Sequence, residues 1–286
     1  MNILVTLNSR YLHALRVMLK SLFLQHPDER FAVYLLHSSI REEELADLEA
    51  YVKAEGHRLE IITLAPDCFA DAPVLKHYSK EMYYRLLAFK YLPEQLDKIL
   101  YLDPDILVIN SIRPLYDTDL TGYLFAAAFH DRISVIELNR LRLLPYEIEA
   151  YYNSGVLLMN LPEHRRKIRE EDIYRFVERN KKRLVLPDQD VLNALYSKYI
   201  RNVDEVLYNY DPRYYLYYKM MSKGQYDMDY VIRNTAILHF CGKKKPWHKN
   251  YSGRFHSLYK HYERLALSSA SPTPSEPAVP ASALVR

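Results

Sequence analysis

"ILYLDPDILVIN", Ile99 to Asn110, carries two carboxylates, Asp103 and Asp105, one residue apart in a stretch that is otherwise almost wholly apolar. A fully buried strand of a parallel sheet is apolar on both faces, and an unpaired buried charge is costly. The strand over Lys98 to Leu102 is therefore expected to end where the carboxylates begin. Pro104 between them has no backbone N–H and a fixed φ, which turns the chain at that point. Side chains at i and i+2 of an extended segment share a face, so both can reach one small target. A divalent cation suits them, because Mg²⁺ or Mn²⁺ is commonly held by one or two carboxylates together with phosphate oxygens. A solvated Asp-Pro-Asp turn is the other reading of the tripeptide.

Upstream of this stretch, strand and helix patterns alternate. "NILVTLN" reads as a strand, Tyr11 to Gln25 as a helix, "FAVYLLHS" as a strand, Arg41 to Ala54 as a charged helix and "LEIITL" as a strand. That βαβαβ order predicts an α/β fold, a parallel sheet covered by helices with its crevice at the carboxyl ends of the strands. The two aspartates are expected at that crevice. Ser79 to Tyr91 reads as a helix with Ser79 as N-cap and Pro93 as stop. Downstream come "GYLFAAAF", a polar connection, "YYNSGVLLMNL", a helix from about Glu163 to Lys181, "DQDVLNALYS" and "TAILHF".

At 286 residues the chain suits a single large α/β domain, expected over 1–265. The end, rich in Ser, Ala and Pro, reads as a disordered tail over 266–286. Net charge is +3, from 39 basic and 36 acidic residues, a balance that argues against a nucleic-acid coat over the surface. No run approaches the ~18 apolar residues of a membrane span, and "MNILVTLN" lacks a signal-peptide pattern, so a cytoplasmic protein is expected. Two cysteines, Cys68 and Cys241, indicate neither a disulfide scaffold nor a zinc cluster in a chain this long.

Three further stretches concentrate chemistry. Asn153, Ser154 and Gly155 stand just before a buried run, where a glycine lets backbone approach a ligand closely. Asp188, Gln189 and Asp190 open a helix; favourable capping and dipole effects account for the acids but do not call for Gln189. "LHFCGKKKPWHKN" puts His239 at the end of an apolar strand, then Gly242, three lysines, Pro246 and Trp247. A histidine there, beside a glycine and a cationic cluster, is a candidate metal ligand next to a phosphate site, although a lone histidine is more often structural. Together these stretches describe a metal-bound diphosphate.

The D-x-D after "ILYL", the N-S-G-V-L-L-x-N segment at Asn153 to Asn160, the D-Q-D at 188–190 and the H-x-x-G-x-x-K-P-W pattern spanning His239 to Trp247 resemble, in order and spacing, the family 8 glycosyltransferases, over about residues 1–262. That family includes bacterial lipopolysaccharide galactosyl- and glucosyltransferases and, more distantly, glycogenin. The resemblance implies a GT-A nucleotide-diphospho-sugar transferase fold with a Rossmann-like mixed sheet, a UDP-sugar donor, Mn²⁺ (or Mg²⁺) and retention at the anomeric carbon. It implies Asp103, Asp105 and His239 as metal ligands, and Gly242 and Lys245 as phosphate contacts. Thr6, Asn8 and Tyr11 would hydrogen-bond or stack on the uridine, with Asn8 where the family often has Asp. Arg85 matches a family arginine near the donor. Asn153, Asp188 and Gln189 would line the sugar, and Asp131 in "FHDR" is a looser candidate for a sugar contact.

The implied substrates are UDP-galactose or UDP-glucose and a glycan or lipid-linked saccharide acceptor, with no nucleic acid. Gln189 is a poor nucleophile, so same-face attack by the acceptor hydroxyl, with the leaving phosphate oxygen as base, is the expected route. A haloacid-dehalogenase-type phosphatase, which also places D-x-D after a hydrophobic strand, and a catalytically degenerate carbohydrate-binding protein are the alternatives. The basic and aromatic stretch from Lys243 to Arg264 suits either the donor and a packed helix or peripheral contact with an anionic membrane. The segment Lys243 to Lys245 is expected to act as a lid, with Lys245 gaining a charged partner only when the diphosphate arrives.

Overall fold

The structure, a computed structural model, describes residues 1–65, 81–129, 139, 141–148 and 150–268. The expected N-cap Ser79, the candidate Asp131, Cys68 and the tail residues 269–286 lie outside the described residues. Nine strands are described: β1 Asn2–Thr6, β2 Ala32–His37, β3 Arg58–Thr63, β4 Lys98–Leu102, β5 Ile106–Val108, β6 Phe125–Ala127, β7 Val156–Asn160, β8 Ile200–Asn202 and β9 Ile237–His239.

Seven of them form one sheet in the order β3-β2-β1-β4-β7-β6-β8, and β5 pairs with β9 in a two-stranded ribbon. The first half is parallel as the alternation predicts: β1 with β2 and β4, and β2 with β3. β7 then runs antiparallel between β4 and β6, which makes the sheet mixed. Because the chain passes outward through β2 and β3 and returns to β4 on the other side of β1, the strand order reverses between β1 and β4. A crevice opens at such a switch point outside the carboxyl ends of the strands. Leu7 and Asn8 follow β1 there, and Asp103 follows β4.

Side-chain alternation splits the core onto two sheet faces. Leu4, Tyr101, Leu157 and Met159 pack with the helices Glu81–Leu87, Glu170–Asn180 and Pro187–Tyr196. Ile3, Val5, Leu100, Leu102, Val156 and Leu158 pack with Leu12–Leu24 and Glu42–Ala54. The helix Leu12–Leu24 keeps Leu15, Met18, Leu19 and Leu22 buried, a spacing that puts them on one stripe. Each such side chain contributes about 1.5–3 kcal/mol on leaving water. Ser21 on that helix accepts the Val108 N–H at 3.0 Å, satisfying a donor at the edge of the ribbon.

One expectation is corrected. The single helix over Glu163 to Lys181 is two helices, Leu161–Lys167 and Glu170–Asn180. Ile168 between them is extended and buried. The break lies between a basic last turn, Arg165 to Lys167, and an acidic first turn, Glu170 to Asp172, the charge pattern that two separate helix dipoles favour. Of the aromatics in Lys243 to Arg264, Tyr259 is fully buried, Phe255 and Tyr262 are nearly so, and Trp247 and Tyr251 are half-buried. They build a third core with Tyr210, Phe240 and the helix Tyr215–Met221, which is the packed-helix reading of that stretch. Among the described residues no helix is long and apolar enough to cross a membrane.

Candidate functional site

Asp103 and Asp105 leave β4 into the crevice, and two backbone bonds fix the turn that carries them. Asp103 N–H donates to the Gly155 carbonyl at 2.8 Å, and Phe240 N–H donates to the Asp105 carbonyl at 2.9 Å. The second bond continues the β5–β9 ribbon, in which Ile106 faces His239. A local tripeptide is thus brought against a histidine far away in sequence. His239 Nε2 lies 3.3 Å from Asp105 Oδ1 and 3.7 Å from Asp103 Oδ2, and one ligand atom from each of the three residues falls within 4.8 Å of the others.

The donor set fits a divalent ion. Two hard carboxylate oxygens and one imidazole nitrogen are the types that Mn²⁺ or Mg²⁺ sites use or tolerate. His239 Nδ1 bonds Asn209 Oδ1 at 2.8 Å, and an amide oxygen can only accept, so Nδ1 carries the proton and Nε2 turns toward the carboxylates. Gly155 completes the cradle: a Cβ there would stand 2.3 Å from His239 Cε1 and 2.5 Å from Asp103 Oδ2.

Each carboxylate already has a cation of its own. The Lys245 ammonium contacts Asp105 Oδ2 and donates to the Phe240 carbonyl at 2.9 Å. Arg85 Nη1 reaches Asp103 Oδ1 at 3.1 Å, Asp188 Oδ2 at 3.4 Å and the Ser154 carbonyl at 2.8 Å, with its guanidinium 4.2 Å over the Tyr101 ring. Burial alone would raise the Asp105 pKa, but Lys245 and His239 hold it well below the usual carboxylate range. Burial would likewise lower the pKa of His239, yet the Cys241 sulfur and Asp105 outweigh it and push the imidazole well above its ordinary value. At Asp188 burial wins: it pushes the carboxyl up, partly offset by Arg85. Two carboxylates can stand this close because opposite charges are supplied from two different parts of the chain. The expectation that Lys245 lacks a charged partner before a diphosphate arrives is therefore overturned.

The remaining sequence candidates surround this centre. Ser154 Oγ donates to Asp188 Oδ2 at 2.9 Å, and Gly155 N–H donates to Asn153 Oδ1 at 2.8 Å. Gln189 Oε1 accepts long contacts from Asn153 Nδ2 at 3.5 Å and Ser154 N–H at 3.4 Å. Tyr11 stands edge-on to Trp247, with 6.2 Å between ring centroids; burial raises its hydroxyl pKa, and Lys245, Asp105 and Asp103 all act on it electrostatically. Thr6 Oγ1 sits 3.4 Å from the Tyr101 hydroxyl, which donates to Asp103 Oδ1 at 2.5 Å. Asn8 Oδ1 accepts from Arg10 N–H and caps the turn Ser9–Tyr11. Gly242 has φ +87°, and a Cβ there would stand 2.4 Å from Arg213 Nη1.

Asp190 plays a different part from its neighbours. It is fully buried and takes hydrogen bonds from Arg142, the Tyr151 hydroxyl and the N–H groups of Val185 and Leu186, so it clamps the wall behind the sugar candidates. Asn193 does the same for Tyr152, bonding both its N–H and its carbonyl. Tyr101 and Asn209 were missed by sequence reasoning. Tyr101 had a signal, since it is two residues before Asp103 and on the same face of the strand; Asn209, thirty positions from His239, had none.

The model of a family described as "Glycosyl transferase family 8" matches residues 2–251. General stress protein A of Bacillus subtilis is 26% identical over 279 residues, covering 92% of this chain and 92% of that protein. The lipopolysaccharide 1,3-galactosyltransferase of Salmonella typhimurium is 24% identical over 251 residues, covering 86% and 73%. Among solved structures, the galactosyltransferase LgtC in complex with donor and acceptor sugar analogs superposes with a TM-score of 0.80 at 28% identity, covering 96% of this chain and 98% of that one.

Proposed function

Since the chain belongs to glycosyl transferase family 8 and has the GT-A fold, we propose that it moves a hexose, galactose or glucose, from a UDP-sugar to a hydroxyl of a glycan or lipid-linked saccharide, with retention and in dependence on Mn²⁺ or Mg²⁺. The observation that carries this reading is the convergence of Asp103, Asp105 and His239 at the switch point, with Lys245 already seated on Asp105. The phosphatase alternative falls with the family, and also with the position of the two aspartates after β4 rather than after β1.

When bound by Asp103, Asp105 and His239, the divalent ion supplies positive charge that stabilises the departing diphosphate. Lys245 exchanges Asp105 for a phosphate oxygen, a charge-assisted contact. Gly242 on the same loop has φ +87°, a conformation that favours glycine. Tyr11, with Thr6 and Asn8, faces the nucleoside. Asn153, Asp188 and Gln189 line the sugar, held in place by Ser154, Arg85 and Asn193. The bond from the anomeric carbon to the phosphate oxygen breaks with its electron pair leaving on UDP. The acceptor oxygen bonds the same carbon on the same face, and its proton passes to that phosphate oxygen. Gln189 supports this route because an amide cannot serve as the carboxylate nucleophile of a double displacement, while its carbonyl oxygen can stabilise positive charge on the sugar.

The test is to incubate the protein with Mn²⁺ and a panel of UDP-sugars and follow UDP release. Release from a hexose donor, lost in EDTA and in Asp105→Ala, is expected. Activity undiminished by chelator refutes the metal assignment, and no release from any donor refutes the transferase reading in favour of a degenerate binding protein.

A further inference from the structure

Behind the phosphate-side loop lies a cleft of about 360 Å³ that the donor reading does not use. It is lined by two aromatic rings, Phe240 and Tyr251, and by four cations, Arg213, Lys243, Lys244 and Arg254. Among the described residues no carboxylate lines the cleft, and Asp211, fully buried, is paired with Arg213. Asp211 holds Arg213 through Nε and Nη2. That leaves Nη1, which lies so close to Gly242 that any side chain there would collide with it. The glycine of the H-x-x-G stretch therefore makes room for this guanidinium in particular. Arg254 is fixed as well, with its guanidinium 4.4 Å over the Tyr215 ring. Lys243 and Lys244 are exposed beside them, while the third lysine of the run turns inward to Asp105.

We infer that this cleft binds a phosphate or comparable anionic group of the acceptor, so that the acceptor is a phosphorylated saccharide. The inference rests on the transferase reading and names its substrate class. Two guanidiniums held by Asp211 and by the Tyr215 ring and two ammonium groups, with one carboxylate to set against them, leave an excess of positive charge that an anion complements. The aromatic lining supplies a face for a sugar ring. The cleft and the metal centre share a wall: Phe240 and Cys241 line the cleft, Phe240 N–H bonds the Asp105 carbonyl, and Cys241 adjoins His239. For this, the saccharide bearing the anion must extend from the cleft past the Phe240–Cys241 wall toward the donor.

The experiment is calorimetric titration of the protein loaded with UDP and Mn²⁺, which keeps the donor's phosphate site filled. The probes are glucose 6-phosphate, glucose, and vesicles of phosphatidylglycerol. Glucose 6-phosphate is expected to bind about tenfold or more tightly than glucose, given the strength of charge-assisted contacts. Lys243→Gln/Lys244→Gln and Arg254→Gln are each expected to remove most of that difference while UDP binding and donor hydrolysis stay as in the wild type. Equal affinity for the neutral and the phosphorylated sugar overturns the inference. So does vesicle binding lost in the same variants without any for glucose 6-phosphate, which assigns the cations to a lipid surface. Weakened UDP binding in the variants also overturns it, since the cleft then belongs to the donor. Failure of the wild type to bind UDP with Mn²⁺ or to release UDP from any sugar donor is the separate failure of the transferase reading.

Discussion

Gly155→Ala isolates the cradle from the ligands it serves. The φ of Gly155 is outside the left-handed region, so alanine is tolerated by the backbone and the demand is for space alone. A Cβ would stand 2.3 Å from His239 Cε1 and 2.5 Å from Asp103 Oδ2. Ordinary contact begins near 3.4 Å, so the imidazole and the carboxylate must each recede by about 1 Å. Neither has slack. His239 is tied to Asn209, and Asp103 to Tyr101 and Arg85. Overpacking of this kind costs about 1–3 kcal/mol of stability, and a misplacement of about 1 Å in a reacting geometry costs on the order of 10²-fold in rate. The assay is UDP release from the preferred donor as a function of Mn²⁺, with thermal unfolding in EDTA alongside. A rise of about tenfold or more in half-saturating Mn²⁺ with a modest loss of stability is expected. Gly122→Ala is the control: its φ of +82° strains any side chain but nothing lies within 4 Å, so stability falls by about 1–2 kcal/mol while Mn²⁺ dependence stays unchanged. Wild-type Mn²⁺ dependence and rate in Gly155→Ala refute the cradle.

Asn209→Ala removes the acceptor that fixes the His239 tautomer, and half-saturating Mn²⁺ is expected to rise about 10–100-fold with little change in UDP affinity measured at saturating metal; an unchanged metal titration contradicts that positioning role. Asp190→Asn leaves Arg142 without its charged partner and is expected to destabilise the protein by about 3–5 kcal/mol in urea unfolding, so a loss below about 1 kcal/mol makes the clamp dispensable. An acid-side loss of stability follows from His164, whose burial lowers its pKa to about 3, while its ring donates to the Leu124 carbonyl. Its unfolded pKa is about 6.5, so the unfolded state binds the extra proton first. The contribution of His164 is intact above about pH 6.5 and falls by about 1.4 kcal/mol per pH unit below it, until the folded pKa is reached. His164→Gln should flatten that slope between pH 6.5 and 5, and an identical slope in the variant assigns it to other groups.

The parts of the fold that were legible in the sequence are those encoded locally. The apolar run ending at Leu102 with a charge pair beyond it marked both β4 and the mouth of the crevice, because only a strand end can hold such a transition. The helix Leu12–Leu24 followed from its stripe, and the parallel half of the sheet followed from alternation. β8, three residues with two of them exposed, carries no period to detect. The break at Ile168 was legible in principle, since basic residues close one helix and acidic residues open the next, but apolar spacing alone runs through it.

What the sequence did not disclose is which charge answers which. Asp105 is paired with Lys245 across 140 positions, Asp190 with Arg142 across 48, and Arg85 serves Asp103 and Asp188 together. None of these distances has a sequence period, because they are set by the sheet order and by the β5–β9 ribbon that returns the chain to β4. That return also changes the reading of the lysine cluster. A loop whose lysine lacks a partner would be free until a ligand ordered it, whereas here the ammonium sits on Asp105 and the loop is fastened to the same carboxylate that a cation would use. A positive charge at Asp105 is thus a constant of the site, supplied by the chain itself before any ligand. Under the proposed function, loading the donor would be an exchange in which Lys245 moves from carboxylate to phosphate without an intermediate state that leaves Asp105 buried and unpaired.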